Sequence, residues 1–192
     1  MGFLHLNLDI MHETCLLLHP KDLLGLLRSC RTLRDVLYSP HSRFVWKRAL
    51  VNYVASNAGA ISPLPPCPTD LSELKYAFLA FSIPCQHCGA LIGRTDWDLR
   101  VRYCTLCEPR HITLFDATNP PILACDPTAD VKQLVAIRTL TPAFLTSELA
   151  TLTKKYQALD TQARAVFLAR TKQQLADRYI HARLCRAWVA SL

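Results

Sequence analysis

Two Cys-x2-Cys pairs, Cys85-Gln86-His87-Cys88 and Cys104-Thr105-Leu106-Cys107, stand fifteen residues apart. That spacing matches a four-cysteine zinc site. Two residues between cysteines allow a tight turn that aims both sulfurs at one ion, and a second such turn completes a tetrahedron. Gly89 follows the first pair, where the turn favours a residue tolerant of positive φ. Glu108 follows the second and lends no such help. Trp97, Leu99, Val101 and Tyr103 alternate with Asp98, Arg100 and Arg102, a period that predicts a strand delivering Cys104 to the ion. Four thiolates on a dication leave a charge of about −2. Arg94, Arg100, Arg102 and Arg110 lie close in sequence to offset it.

Other uses of these cysteines fit less well. A redox site needs one Cys-x-x-Cys pair rather than two in register. Four buried, unligated thiols would need no such spacing. His87 or His111 in place of one cysteine is a minor variant. A catalytic ion needs an open coordination position, which four protein thiolates do not leave. A RING finger needs eight ligands, and Cys67, Cys125 and two histidines cannot fill that pattern. The expected metal ligands are therefore Cys85, Cys88, Cys104 and Cys107, around a structural Zn2+. Cys15 and Cys30 sit on apolar stripes and are expected in the core, while Cys67, Cys125 and Cys185 take no assignment.

The rest of the 192-residue chain favours helices: Gly is only 5, Pro is 12, and AVILMFWYC make up 51%. The longest uncharged run, Ala49 to Thr69, is broken by Pro63, Pro65, Pro66 and Pro68, so no membrane span is expected. Charges at Asp9 and Glu13 arrive before any sustained apolar run, unlike a secretory signal. A reducing compartment, cytosol or nucleus, is the expectation, with the nine cysteines as thiols or ligands.

The spacing of Leu6, Leu8, Ile10, Met11, Cys15 and Leu16–Leu18 predicts a short first helix. Pro20 opens a second, whose stripe Leu23, Leu26, Leu27, Cys30, Leu33 and Leu37 runs to Ser39-Pro40. A third helix covers Phe44 to Val51. The Pro-rich run 57–69 is expected to be an extended, exposed loop. A helix from Leu71 to about Phe81 has Asp70 as N-cap and Glu73 as capping-box partner. Helices are predicted at 128–139, 142–158 and 161–190. The fold class is thus mainly α: a small N-terminal helical bundle over 4–55, a Pro-rich linker over 56–69, a zinc-stabilised β ribbon over 70–126, and basic helices over 127–192.

Catalytic patterns are missing from the sequence. His12-Glu13-Thr14-Cys15-Leu16 begins like a zinc-protease helix, but Leu16 stands where the second ligand belongs. No Gly-x-Ser-x-Gly or phosphate-binding glycine loop occurs. Asp96 and Asp98 fall on one strand face beside arginines and are expected to be a solvated pair. The expectation is a non-enzyme.

Residues 6–50, LNLDIMHETCLLLHPKDLLGLLRSCRTLRDVLYSPHSRFVWKRAL, resemble an F-box. The matching features are Leu6, Asp9, Ile10, Leu18, the run Pro20-Lys21-Asp22-Leu23-Leu24, Cys30, Leu33, Leu37 and Trp46. The wording is similar to F-box proteins of mushroom-forming fungi, which often continue with a PLPPCP-type loop and two Cys-x-x-Cys pairs, as here to about residue 110. Asn7 stands where that family usually has Pro, and Thr14 where it has an aliphatic residue. The resemblance implies a helical bundle that docks on a Skp-family adaptor and, through it, a cullin-based ubiquitin ligase (SCF). The rest of the chain would then hold an unknown protein substrate. By that analogy Leu6, Asn7, Ile10, Leu18, Pro20, Leu23 and Leu24 contact the adaptor, and Trp46 anchors the bundle from inside.

Two other readings compete. Residues 131–192 carry ten basic and three acidic residues, so Arg164, Arg170, Arg178, Arg183 and Arg186 could meet nucleic-acid phosphates. The interleaved Phe167, Tyr179, Leu184 and Trp188 fit a solvated face over a buried stripe equally well. Alternatively, Asn7 and Thr14 mark a decayed F-box, leaving a plain protein-interaction module.

Overall fold

A helix is held in a small protein by the stripe it buries, so the elements are best described by their inward residues. The structure, a computed structural model, describes residues 7–114, 131, 134–139 and 142–192. Described residues form mainly α-helix with two small antiparallel sheets, and they divide into two units, 1–82 with 187–192, and 83–186.

In the first unit, α1 (Leu8–Leu16) turns Met11 and Cys15 inward, one helical repeat apart. In α2 (Pro20–Ser29), Pro20 occupies the first turn and the His19 ring accepts a bond from the Lys21 N–H at 3.0 Å. Leu23, Leu24 and Leu27 form its buried stripe. The stripe from Leu23 to Leu37 is not one helix. Cys30 is extended, at φ −155° and ψ 165°, and separates α2 from α3 (Arg31–Tyr38), which buries Leu33 and Leu37. Two helices can share one apolar stripe across a single extended residue. Cys30 is accordingly half-buried at the junction, whereas Cys15 is fully enclosed. A 3₁₀ turn, Pro40–Ser42, leads into α4 (Arg43–Ser56), longer than its sequence pattern suggested and buried along Val45, Trp46, Ala49 and Leu50. Ser42 donates to the Val36 carbonyl at 2.6 Å, and the His12 ring lies 2.9 Å from the same hydroxyl. The serine proton is committed to Val36, so this Ser–His pair is a structural link.

The α5 helix (Glu73–Phe81) packs on α2 and α4 through Tyr76, Ala77 and Leu79. Its N-cap is Ser72, which accepts from the Lys75 N–H at 3.3 Å, not Asp70. Glu73 makes no capping box. It turns to Arg43 in a two-pronged ion pair of 2.7 and 3.0 Å. The proline loop is also less exposed than expected: Leu64 and Pro65 are buried, and the Tyr76 hydroxyl donates to the Pro65 carbonyl at 2.7 Å. At one end of this unit Tyr53, Phe81 and Trp188 meet edge to face, with His19 against Tyr53 and Phe81. The sequence-derived boundaries at 55, 69 and 126 do not coincide with the division at Ser82. The apolar face of α5 groups it with the N-terminal helices, and Trp188 brings the last residues there too.

The second unit begins with β1 (Arg94–Asp96) and β2 (Val101–Tyr103), antiparallel, with Arg94 opposite Tyr103 and Asp96 opposite Val101. The predicted strand from Trp97 is shorter than its pattern: 97–100 form a buried turn, with Arg100 at φ 55°. After the short α6 (Glu108–His111), β3 (Ile112–Leu114) pairs with β4 (Ala143–Leu145). The helix predicted over 142–158 therefore starts with a strand, and α7 is Thr146–Gln157. Of the predicted 128–139 helix, 128–130, 132 and 133 lie outside the described residues, Val131 is helical, and 134–139 form turns and irregular backbone, not helix. The last helix, α8 (Thr161–Ala190), matches its prediction, with Asp160 accepting from the Ala163 N–H at 2.8 Å. Two apolar clusters hold this unit. Leu99, Val101, Ile112, Ala136 and Ala143 form one; Val131, Val135, Phe144, Leu149 and Tyr156 form the other.

Candidate metal centre

The two knuckles are built by backbone bonds. In the first, the Gly89 N–H donates to the Cys85 carbonyl at 3.0 Å, and the Cys85 N–H to the Ala90 carbonyl at 2.8 Å. Gly89 sits at φ 76°, as its place after the pair requires. In the second, the N–H groups of Cys107 and Glu108 both donate to the Cys104 carbonyl, at 3.1 and 2.9 Å. Gln86 ties the first knuckle to β2: its N–H donates to the Arg102 carbonyl at 2.9 Å, and its side-chain oxygen accepts from the Arg102 N–H at 3.0 Å. Gly93 allows the chain to pass close by, since a Cβ there would lie 2.9 Å from the Cys85 nitrogen.

These links bring Cys85, Cys88, Cys104 and Cys107 together with their sulfurs all within 4.8 Å of one another, three buried and Cys88 exposed. Sulfurs about 2.3 Å from a tetrahedral ion are about 3.8 Å apart. The Cys88 and Cys104 sulfurs are 3.7 Å apart, so the site fits a metal ion. Its electrostatics favour thiolates at the head of each knuckle. Burial pushes the Cys85 thiol up, but N–H groups of Cys88, His87 and Cys104 outweigh it and bring it down to about 6. Cys104 is lowered in the same way: burial raises it, and bonds from Cys107, Cys88 and Leu106 prevail. Burial, with the three neighbouring sulfurs, pushes Cys107 up to about 12. Four thiols this close cannot all ionise without a cation among them. Beside the cluster, Tyr103 stacks on His111, and His111 meets His87 at 4.5 Å between ring centroids. Neither histidine replaces a cysteine.

The turn after β1 holds residues whose importance the sequence did not signal. Asp98 is not a solvated partner of Asp96; its side chain is 3% exposed. It accepts from the Thr139 N–H and hydroxyl at 3.1 and 2.8 Å and from Arg186 at 2.7 Å. The Asp98 carbonyl accepts from Arg178, which also pairs with Glu148 at 2.6 Å. Asp96 accepts from Arg138 at 2.6 Å. No local signal could have found these links, because the partners of Asp98 lie 41 to 88 residues away. Arg178 and Arg186, offered by the sequence to nucleic acid, spend hydrogen bonds here. Arg164 likewise donates to the Tyr156 carbonyl at 3.2 Å and lies over the Tyr156 ring. Arg170 and Arg183 are exposed on α8.

Burial raises the Asp98 carboxyl, but the bonds from Arg186 and Thr139 prevail and hold it below the usual aspartate range. A depressed folded-state value means that this stabilisation is complete above the unfolded value of about 4 and is lost as pH falls through the folded one. Asp98→Asn is therefore expected to cost about 1–3 kcal/mol at neutral pH and to flatten the acid limb of the stability curve. Urea denaturation from pH 2.5 to 7 measures both, and an unchanged acid limb counts against the assignment.

The residues expected on an adaptor surface separate into two groups. Leu6 lies outside the described residues. Asn7 and Ile10 are exposed, and Leu18 is half-buried. Pro20, Leu23 and Leu24 are buried, with Leu23 at 0% and Leu24 at 1% exposure, and are corrected to core positions. The stripe that α2 needs in order to pack leaves them nothing to offer a partner. Trp46 is buried as expected. The exposed large aliphatics of α1 are Leu8 and Ile10, followed just past its end by Leu17.

Comparison with known proteins found no matching family model, no matching curated protein and no matching solved structure. No helix among the described residues is long and apolar enough to cross a membrane.

Proposed function

We propose that this protein is a non-catalytic substrate receptor of a cullin-type ubiquitin ligase, docking on a Skp-family adaptor through an F-box formed by its N-terminal helices. The observation that carries the reading is the outward face of the N-terminal segment. Leu8, Ile10 and Leu17 are 47, 54 and 84% exposed on the same stretch that bears the F-box wording. Large aliphatics in water favour a partner that covers them. The adaptor contacts are then Asn7, Leu8, Ile10 and Leu17, with α4, which packs on α1, supporting them from beneath. Residues 83–186 supply the surface for the protein substrate.

In the same proposal the four-cysteine centre holds Zn2+. Cys85, Cys88, Cys104 and Cys107 bind it, and the ion supplies a cross-link between the knuckles. Iron takes the same donor set, so elemental analysis with an absorbance spectrum tests the identity: zinc gives a colourless protein at one ion per chain.

Co-expression with a Skp-family adaptor tests the docking. A one-to-one complex on size exclusion is expected. Leu8→Asp with Ile10→Asp is expected to weaken it by about 100-fold or more, as each charge replaces a buried aliphatic worth about 1.5–3 kcal/mol. Leu23→Asp is unsuitable, because a charge at that buried position tests folding instead. No complex from soluble, metal-loaded protein would overturn the reading. Salt-sensitive retention of DNA or RNA would then favour the exposed Arg170, Lys172 and Arg183 as a nucleic-acid surface.

A further inference from the structure

We infer that Arg138 is a positioning residue of the metal centre, holding both flanks of the second knuckle with one guanidinium. The inference rests on the reading of the four cysteines as a metal site. Arg138 Nε donates to Asp96 at 2.6 Å, and its Nη2 donates to Glu108 at 2.6 Å. Asp96 belongs to β1, opposite Val101 of β2, the strand that leads into Cys104. Glu108 directly follows Cys107. The two carboxylates therefore bracket the chain that carries Cys104 and Cys107, one through the strand before the knuckle and one through the turn after it.

The arginine is itself fixed in place. Its N–H donates to the Ala143 carbonyl at 2.9 Å, at the start of β4. The partner of β4 is β3, which follows α6 and so continues directly from Glu108. One closed circuit results: knuckle, α6, β3, β4, Arg138, and back to the knuckle on both sides. The strands are three residues long and cannot set the knuckle's angle by length alone. A side chain with two directed donors can. Two carboxylates on separate segments suit the planar fork of arginine and not the single point charge of lysine. Side-chain exposure of 21% for Arg138 and 14% for Asp96 keeps this clasp partly out of water, where directed bonds hold geometry best.

The test is metal affinity, by competition with a chromophoric zinc chelator, together with the absorbance of the Co2+-substituted protein. The Co2+ bands report the shape of a tetrathiolate site and not merely whether the chain is folded. Arg138→Gln is expected to weaken zinc by about 10- to 100-fold, the range found when groups supporting metal ligands are removed, and to shift the Co2+ bands. Arg138→Lys is expected to restore only part of the loss. Asp96→Asn and Glu108→Gln each remove one arm and are expected to give smaller losses in the same direction. They carry the test if Arg138→Gln is insoluble. Arg43→Gln breaks an ion pair in the N-terminal unit and is expected to leave zinc affinity unchanged. Wild-type affinity and Co2+ bands in the variants would overturn the inference, as would an equal loss in Arg43→Gln. Wild-type protein that takes up neither ion would instead remove the metal reading itself, before any variant is compared.

Discussion

If the four cysteines hold a metal as proposed, stripping it with a strong chelator is expected to melt the two knuckles, 85–90 and 104–108, while the Asp98 turn, α7 and α8 keep their structure. The expectation follows from how little else holds the knuckles. The strands joining them have three residues each, and among the described residues β1 pairs only with β2. A two-stranded ribbon is marginal in water without help. Its buried cluster at the knuckles is Cys85, Cys104 and Cys107 themselves, with Tyr103 against them. A structural zinc site supplies about 10–16 kcal/mol of apparent binding energy, more than the whole stability of most domains. The far end of the hairpin is held differently, by Asp96 and Asp98, and α7 and α8 share the Phe144, Leu149 and Tyr156 cluster. Hydrogen exchange read by mass spectrometry separates these parts. Amides of Cys85, Gly89, Cys107 and Glu108 should lose protection by orders of magnitude on chelation, and Cys104→Ser should reproduce the loss. Unchanged exchange after verified metal removal would mean that the sulfurs pack as a plain core.

What the sequence disclosed, and what it hid, divides by distance along the chain. The four-cysteine cluster was legible because each knuckle is a turn of four residues, and its spacing is the cause of its geometry. Gly89 was legible for the same reason. The α8 helix was legible because its pattern persists over 30 residues. The break at Cys30 was hidden, since Leu27 and Leu33 keep helical phase on either side of an extended residue. The pairing of β3 with β4 was hidden too, as three residues show no period. Asp98 misled most. A carboxylate amid arginines in sequence suggests a solvated surface, but its actual partners, Thr139 and Arg186, are brought to it by the tertiary fold. Three of the carried-over adaptor residues, Pro20, Leu23 and Leu24, fall on buried positions for a related reason: a motif states which residues recur, not which way each faces.

Trp46→Ala is expected to be the most damaging single substitution in the N-terminal unit. Trp46 is 1% exposed, in the first turn of α4. Replacing a buried tryptophan by alanine costs about 3–5 kcal/mol through lost burial and the cavity left behind. A second loss adds to it. The last carbonyls of a helix have no partner within the helix. Leu37 stands in the final turn of α3, and its carbonyl is satisfied by the Trp46 indole N–H at 2.9 Å. Removing the indole takes away that donor, at about 1–3 kcal/mol for a buried carbonyl left unpaired. Trp46→Phe separates the two effects, since it keeps an aromatic ring and loses the donor. It should fall between wild type and Trp46→Ala. Urea denaturation followed by far-UV circular dichroism gives the ranking without relying on the fluorophore being removed. The helices α3 and α4 lie in the unit proposed to meet the adaptor, so adaptor binding by Trp46→Ala should fall in step with the folded fraction. If binding is lost while the unit stays folded, Trp46 touches the partner and is not an internal anchor. If stability changes by less than about 0.5 kcal/mol, a value normal for surface substitutions, the core of this unit lies elsewhere.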